Sequence, residues 1–127
     1  MKPLKLTHPD PTEDQLHEAV RKLLDVALPS NACWFTVEHR NARDATEGAK
    51  RKARGVRAGV PDILICYGRV LHTIELKART GSLSPAQIAM RSELIGAGAY
   101  WSLCRSTDDV LKVLRDWGIP ISARIAA

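Results

Sequence analysis

The sequence predicts a single α/β domain, a mixed four-stranded sheet flanked by helices, with elements in the order α-β-β-β-α-β-α. Two long segments space apolar residues as one face of a helix does. Four short runs are rich in aromatic and β-branched residues, as strands are. The chain has 127 residues and 45% hydrophobic content, enough for one compact domain with a core. No internal repeat or low-complexity run interrupts it.

The first helix is "PTEDQLHEAVRKLLDVALP". Thr12 is a suitable N-cap, and Glu13 and Asp14 follow in the first turn, where the helix dipole favours acids. Leu16, Ala19, Val20, Leu23 and Leu24 make one apolar stripe, and Pro29 ends the helix. "ACWFTVEH" (32–39) reads as the first strand. "RNARDATEGAKRKARGVRAG" reads as a long polar loop of the kind that usually serves a function. "VPDILIC" and "VLHTIELKA" are two strands joined around "YGR", a turn built on Gly68. "LSPAQIAMRSELIGAG" is the second long helix, capped by Ser84, with Pro85 in its first turn and Gly96 or Gly98 as its stop. "AYWSLCRS" is the last strand. "STDDVLKVLRDWG" is a short helix capped by Ser106 or Thr107, with Asp108 and Asp109 in the first turn. Residues 1–11 and 120–127 are expected to be peripheral tails of the domain.

No apolar run approaches the roughly 20 residues needed to cross a bilayer. The N-terminal "MKPLKLTHPDPTEDQ" lacks a signal peptide's apolar segment. Cys33, Cys66 and Cys104 are odd in number and widely spaced, each in a predicted strand where cysteine acts as a small hydrophobe. These features predict a cytoplasmic protein with no membrane partner, no disulfide and no zinc site.

The formal net charge is +5. Its distribution says more, because "KRKARGVR" (50–57) holds five basic residues in eight positions and no acid. Lys50, Arg51, Lys52, Arg54 and Arg57 are either a solvated surface loop or a set of phosphate contacts.

The most informative stretch is "GVPDILICYGRVLHTIELKA" (59–78), where Asp62, Glu75 and Lys77 sit inside apolar runs. A charge within a hydrophobic strand costs several kcal/mol unless it is paired or binds a metal. Alternation places Glu75 and Lys77 on one face. A turn with an even number of residues puts Asp62 on that face too, opposite position 73 or 75. One reading is a cross-strand ion pair on a solvated face. The other is a site, because Pro61 starts the strand at Asp62 and "IELKA" turns from apolar to charged within two residues. On the first helix, Glu13 falls on the Leu16–Val20–Leu24 stripe about a turn before Leu16, and Glu18 falls on the polar side. Glu13 is either a first-turn acid favoured by the dipole or a carboxylate aimed at the sheet. Asp62, Glu75 and Glu13 together would make an all-oxygen cage suited to Mg²⁺ or Mn²⁺. Such an ion acts on phosphate esters, and Lys77 beside it could orient water or stabilise developing negative charge.

"PD" at 61–62 followed by "ELK" at 75–77 resembles the PD-(D/E)xK nuclease signature. With the lead-in "RAGVPD" and the helix start "LSPAQ", the chain resembles the VRR-NUC family from about Thr12 to the last helix. The resemblance implies a restriction-endonuclease-like fold and metal-dependent hydrolysis of DNA phosphodiesters to 5′-phosphate and 3′-hydroxyl ends, in a bacterial or phage-infected cytoplasm. It implies Asp62, Glu75, Glu13 and the backbone carbonyl of Leu76 as metal ligands and Lys77 as the catalytic lysine. Gln87 matches a glutamine that the family keeps near the site. Many relatives carry Gln one turn after the helical glutamate where this chain has His17, which leaves that residue a neighbour or a supporting group. Small stand-alone members resemble Holliday-junction resolvases and act as homodimers, so branched DNA and a second copy are the implied partners. Lys50–Arg57 and Arg79 would hold phosphates. Trp34, Trp101 and Trp117 are expected in packing, His8, His39 and His72 show no ligand spacing, and Glu38 and His39 are kept as supporting neighbours.

Overall fold

The structure is a computed structural model that describes residues 10–38 and 42–122. Its elements are α1 (Glu13–Ala27), β1 (Cys33–Thr36), α2 (Ala45–Ala53), β2 (Ile63–Tyr67), β3 (Val70–Leu76), α3 (Pro85–Gly96), β4 (Tyr100–Cys104) and α4 (Thr107–Asp116). The mixed four-stranded sheet flanked by helices is the architecture the sequence predicts. The order is not, since α2 occupies the segment read as a structureless loop.

That correction has a local cause. Asp44 caps α2 by accepting from the Glu47 N–H at 2.8 Å, and Gly55, at φ +90°, follows its end. Alanine, lysine and arginine in between are strong helix formers. Glu47 pairs with Arg43 and Arg51, each four positions away. None of the residues of α2 is buried. The helix therefore carries no apolar stripe and is invisible to a periodicity argument.

The sheet runs β1-β2-β3-β4, with β1–β2 and β2–β3 antiparallel and β3–β4 parallel. Gly68 and Arg69, at φ 61° and 67°, form the two-residue turn that pairs Tyr67 with Val70. The loop is thus even, and the register Ile63↔Ile74 continues to set Asp62 against Glu75. Ile63, Ile65, Ile74 and Leu76 point to one face, where they bury against Leu16, Val20 and Leu24 of α1 and Val110 and Leu114 of α4. On the opposite parity, α3 packs over β4, and Arg91 lies 5.3 Å from the Trp101 ring.

Caps fix the helix starts. Thr12 and Gln15 form a reciprocal capping box on α1, as Ser84 and Gln87 do on α3, and Ser106 caps α4. β1 stops at Thr36, short of the predicted Glu38–His39; Glu38 lines a cleft described below, and His39 lies outside the described residues, as does His8. At the C-terminus Ile119 is buried and the Ser122 N–H donates to the Ala27 carbonyl at 3.0 Å, while 123–127 lie outside the described residues.

The cysteines divide. Cys104 is a buried hydrophobe, and burial pushes its thiol up to about 11. Cys33 and Cys66 are exposed and face each other across β1–β2, so their strand positions do not make them core residues. Among the described residues no helix packs on β1. His72 is buried, with Nδ1 3.2 Å from the Ile65 carbonyl and its ring stacked on Tyr100. Trp34 and Trp117 pack against the core. Among the described residues no helix is long and apolar enough to cross a membrane.

Gly59 is the one glycine whose replacement the packing forbids. Its φ is +80°, and a Cβ there would stand 2.3 Å from the Ala86 carbonyl oxygen in the first turn of α3. Gly59→Ala is therefore expected to destabilise the fold by about 2 kcal/mol or more, by strain and by prying α3 from the strand lead-in. Urea denaturation beside the wild type measures the loss; an unchanged midpoint would contradict the close approach.

Candidate active site

Four elements meet at the end of the sheet where β2 begins and β3 ends. Asp62 is 5% exposed and precedes β2, because Pro61 cannot donate to a ladder. Its Oδ2 accepts from the Leu76 N–H at 2.7 Å, which takes the place of the next ladder bond. A strand residue points its N–H and C=O toward the same neighbour, so the Leu76 carbonyl faces this same end. Glu75, 2% exposed, stands opposite Asp62 by register. Lys77 follows β3, half-buried, with its backbone N–H donating to the Cys104 carbonyl at 3.1 Å.

Gln87 joins the helix layer to this pair. Its Oε1 accepts from the Ser84 N–H at 2.9 Å, closing the cap of α3. Its Nε2 donates to Glu75 Oε1 at 2.9 Å. One amide thus starts a helix and orients a buried carboxylate. The other Glu75 oxygen, Oε2, is buried and receives no N–H or O–H from a described residue, so only a proton shared with Asp62 or a cation could meet it.

Burial raises the Glu75 pKa first, the neighbouring Asp62 carboxylate and a hydrogen bond shared with it raise it further, and Glu13 adds a smaller push. Lys77 opposes these effects, and the net result is a carboxyl pushed from 4.5 up to about 8. A buried acid with an orphaned oxygen beside a second carboxylate is a place for a cation.

The tightest grouping of possible metal ligands among the described residues is Glu13, His17 and Asp62, whose donor atoms lie within 4.8 Å of one another. His17 Nε2 stands 3.8 Å from Asp62 Oδ2. The sequence reading put Glu75 in this trio and left His17 outside it. The structure brings His17 in and sets Glu75 against Asp62 from the opposite strand. Glu13 and His17 are one turn apart on α1, so both reach the sheet end from the same helix face. The donor set of carboxylates and one imidazole, around the unpartnered Oε2, fits a divalent ion. Glu13, Asp62, Glu75 and the Leu76 carbonyl would hold it.

An open cleft of about 1350 Å³ lies between α2, the segment after it and α3, and Glu13, Asp62 and Glu75 are not among its lining residues. Arg51, Lys52, Arg54 and Arg57 line it, with Ala86 and Met90 on the far wall. Lys50 lines a second, smaller hollow on α2. The basic residues are not equivalent. Arg51 pairs with Glu47, and Arg57 grips Glu93 of α3 with two hydrogen bonds that hold the Glu93 carboxyl below its usual range. Arg79 pairs with Asp10 at 3.3 Å. Lys50, Lys52 and Arg54 are exposed and make no ion pair with a described residue.

Arg105 was not visible as a site residue, since a lone arginine after a strand carries no pattern. Its Nη1 lies 2.7 Å from the Ala78 and Gly81 carbonyls and 3.2 Å from that of Arg79. It ties down the loop that leaves Lys77.

In metal-free protein the folded state holds the Glu75 proton to higher pH than the unfolded chain does. Stability is therefore expected to fall as pH rises from about 5 to 8, by at most about 1.4 kcal/mol per pH unit from this group. Glu75→Gln should remove that part of the slope. Chemical denaturation of both proteins across the range tests this, and parallel slopes would refute it.

The VRR-NUC domain family matches this chain over residues 12–108. A solved VRR_NUC domain protein shares 24% identity, covers 84% of this chain and 88% of its own, and superposes with a TM-score of 0.61. A solved VRR_NUC domain shares 16% identity over 84% of this chain and 99% of its own, with a TM-score of 0.56. No curated relative matches the sequence. The family match spans most of the chain and the two solved domains share its fold, so the chain belongs to the VRR-NUC family of nuclease domains.

Proposed function

We propose that this protein is a metal-dependent, structure-selective DNA endonuclease that hydrolyses phosphodiesters, acting as a homodimer on branched or junction DNA in the cytoplasm. The observation that carries the reading is the buried Glu75, whose Oε2 lacks a partner while Asp62 stands opposite and Glu13 nearby. Two buried acids side by side, with the exposed Glu13 near them, are costly without a counter-cation. A hydrolytic site that uses Mg²⁺ or Mn²⁺ gives them a reason.

In this reading Asp62, Glu75, Glu13 and the Leu76 carbonyl hold the ion. When bound, the ion supplies polarisation of the phosphate and a lowered pKa for water. The protein's own groups do the rest. Gln87 keeps Glu75 in one orientation through its Nε2. The Leu76 N–H keeps Asp62 in place. Lys77 places an ammonium near Glu75, where it can orient the attacking water or offset charge developing on phosphorus oxygens. Arg105 fixes the loop that follows Lys77. Lys52 and Arg54, with the paired Arg51 and Arg57, present positive charge to the cleft, Lys50 does so in the smaller hollow on α2, and Arg79 lies apart against Asp10. Such contacts position a backbone and carry no sequence information directly, which suits recognition by shape. A two-fold junction in turn suits a two-fold protein.

Two outcomes are expected. Glu75→Ala abolishes cleavage of linear, flap and four-way DNA in Mg²⁺ and Mn²⁺ yet retains DNA binding, because the phosphate contacts lie elsewhere. Retained cleavage would remove Glu75 from the chemistry, and a wild type that binds DNA and cuts none of the substrates would favour a binding module on the same fold. Alanine at Lys50, Lys52 and Arg54 weakens duplex binding and lowers the slope of log affinity against log salt by about 0.9 per lost contact. A slope equal to that of the wild type would return these residues to a solvated surface.

A further inference from the structure

We propose that His17 is itself a metal ligand, so that the site has a mixed nitrogen–oxygen donor set and favours Mn²⁺ and Co²⁺ over Mg²⁺. The inference rests on the cation site described above and assigns a residue that the family resemblance leaves without a role. Its basis is the grouping of Glu13, His17 and Asp62.

The distance between His17 and Asp62 is one that either an ion pair or two ligands of one ion can have. His17 Nε2 and Asp62 Oδ2 are 3.8 Å apart, too far for a hydrogen bond. Two ligands of one ion, each about 2.1 Å from it, stand at most about 4.2 Å apart, so this gap is one that a shared ion spans. The 4.8 Å limit of the full trio needs only a turn of the exposed Glu13 side chain. His17 makes no hydrogen bond with a described residue. Its side chain is 34% exposed and that of Asp62 8%, so the imidazole sits on the open side of the buried carboxylate, where an ion would enter. Glu13 and His17 come from one rigid helix whose start is fixed by the Thr12–Gln15 box. That rigidity sets the donors before any ion arrives.

The chemical consequence is selectivity. A carboxylate–carbonyl cage suits Mg²⁺, Ca²⁺ and Mn²⁺ alike, whereas an imidazole nitrogen favours later first-row ions in the order Mn²⁺ < Co²⁺ < Ni²⁺. A glutamine at this position would offer an oxygen instead and remove that bias.

The test is metal binding by the intact protein, by calorimetry with Mn²⁺, Co²⁺ and Mg²⁺, on wild type, His17→Gln, His17→Ala and Asp62→Ala, with circular dichroism to check folding. Pulsed electron paramagnetic resonance of the Mn²⁺-loaded protein reads nitrogen coordination directly. The proposal expects a nitrogen modulation in wild type that vanishes in both His17 variants. It also expects Mn²⁺ and Co²⁺ affinity to fall about tenfold or more in His17→Ala, and the Mn²⁺/Mg²⁺ affinity ratio to fall in His17→Gln. If His17 were only a cationic partner of Asp62, its removal would leave Mn²⁺ affinity unchanged or raise it, and no nitrogen would be seen. That result overturns the role of His17 while leaving the cation site standing, provided Asp62→Ala still abolishes binding. If wild type binds no ion at all, the cation site falls and His17 with it.

Discussion

Two carboxylates set face to face at the end of a buried hairpin are the constraint around which this molecule is arranged. Asp62 and Glu75 are 5% and 2% exposed. Their mutual repulsion and loss of solvent oppose folding unless other groups compensate. The compensation is partial and specific. The Leu76 N–H satisfies one Asp62 oxygen, the Gln87 amide satisfies one Glu75 oxygen, and Lys77 adds charge of the opposite sign. One oxygen of Glu75 is left over. A helix cap, a strand-end N–H and a lysine thus serve these two acids, and one oxygen is still unmet.

The scaffold follows from the need to bring distant residues to that point. The two-residue turn at Gly68–Arg69 fixes the register that opposes Asp62 and Glu75. Gly59 lets the lead-in to Asp62 press against the first turn of α3, which puts Gln87 within reach of Glu75. Leu16, Val20 and Leu24 seat α1 on the sheet's other face, and that seating carries Glu13 and His17 to the same end. The Arg57–Glu93 pair, 36 positions apart in sequence, ties the segment after α2 to α3 across the cleft. Being exposed and screened, this pair is a tether that adds little stability.

Much of this was legible in the residues. The α1, α3 and α4 boundaries lie in capping patterns, and the hairpin lies in two apolar runs around a glycine turn. Even the common face of Asp62, Glu75 and Lys77 follows from alternation once the turn is even. What escaped has a physical explanation in each case. Helix α2 has no apolar face, so periodicity gave no sign of it, although the Asp44–Glu47 cap and Gly55 were there to be weighed. Arg105 acts through backbone carbonyls, which carry no side-chain signature. Cys33 lies on an edge strand, and Cys66 points to the face away from the Ile63–Ile65 core, facts set by the sheet's assembly that strand composition does not report.

By itself, then, the sequence determined the elements that local chemistry dictates: caps, turns, apolar stripes and the charged trio on one strand face. These depend on neighbours within a few positions, and the chain's own dihedral and hydrogen-bonding preferences settle them. Only the tertiary structure decided which distant groups meet. It placed His17 beside Glu13 and Asp62, sent Gln87 to Glu75 and spent Arg57 on Glu93, because those contacts depend on how α1 and α3 lie on the sheet, and helix-to-sheet packing is fixed by the whole core at once.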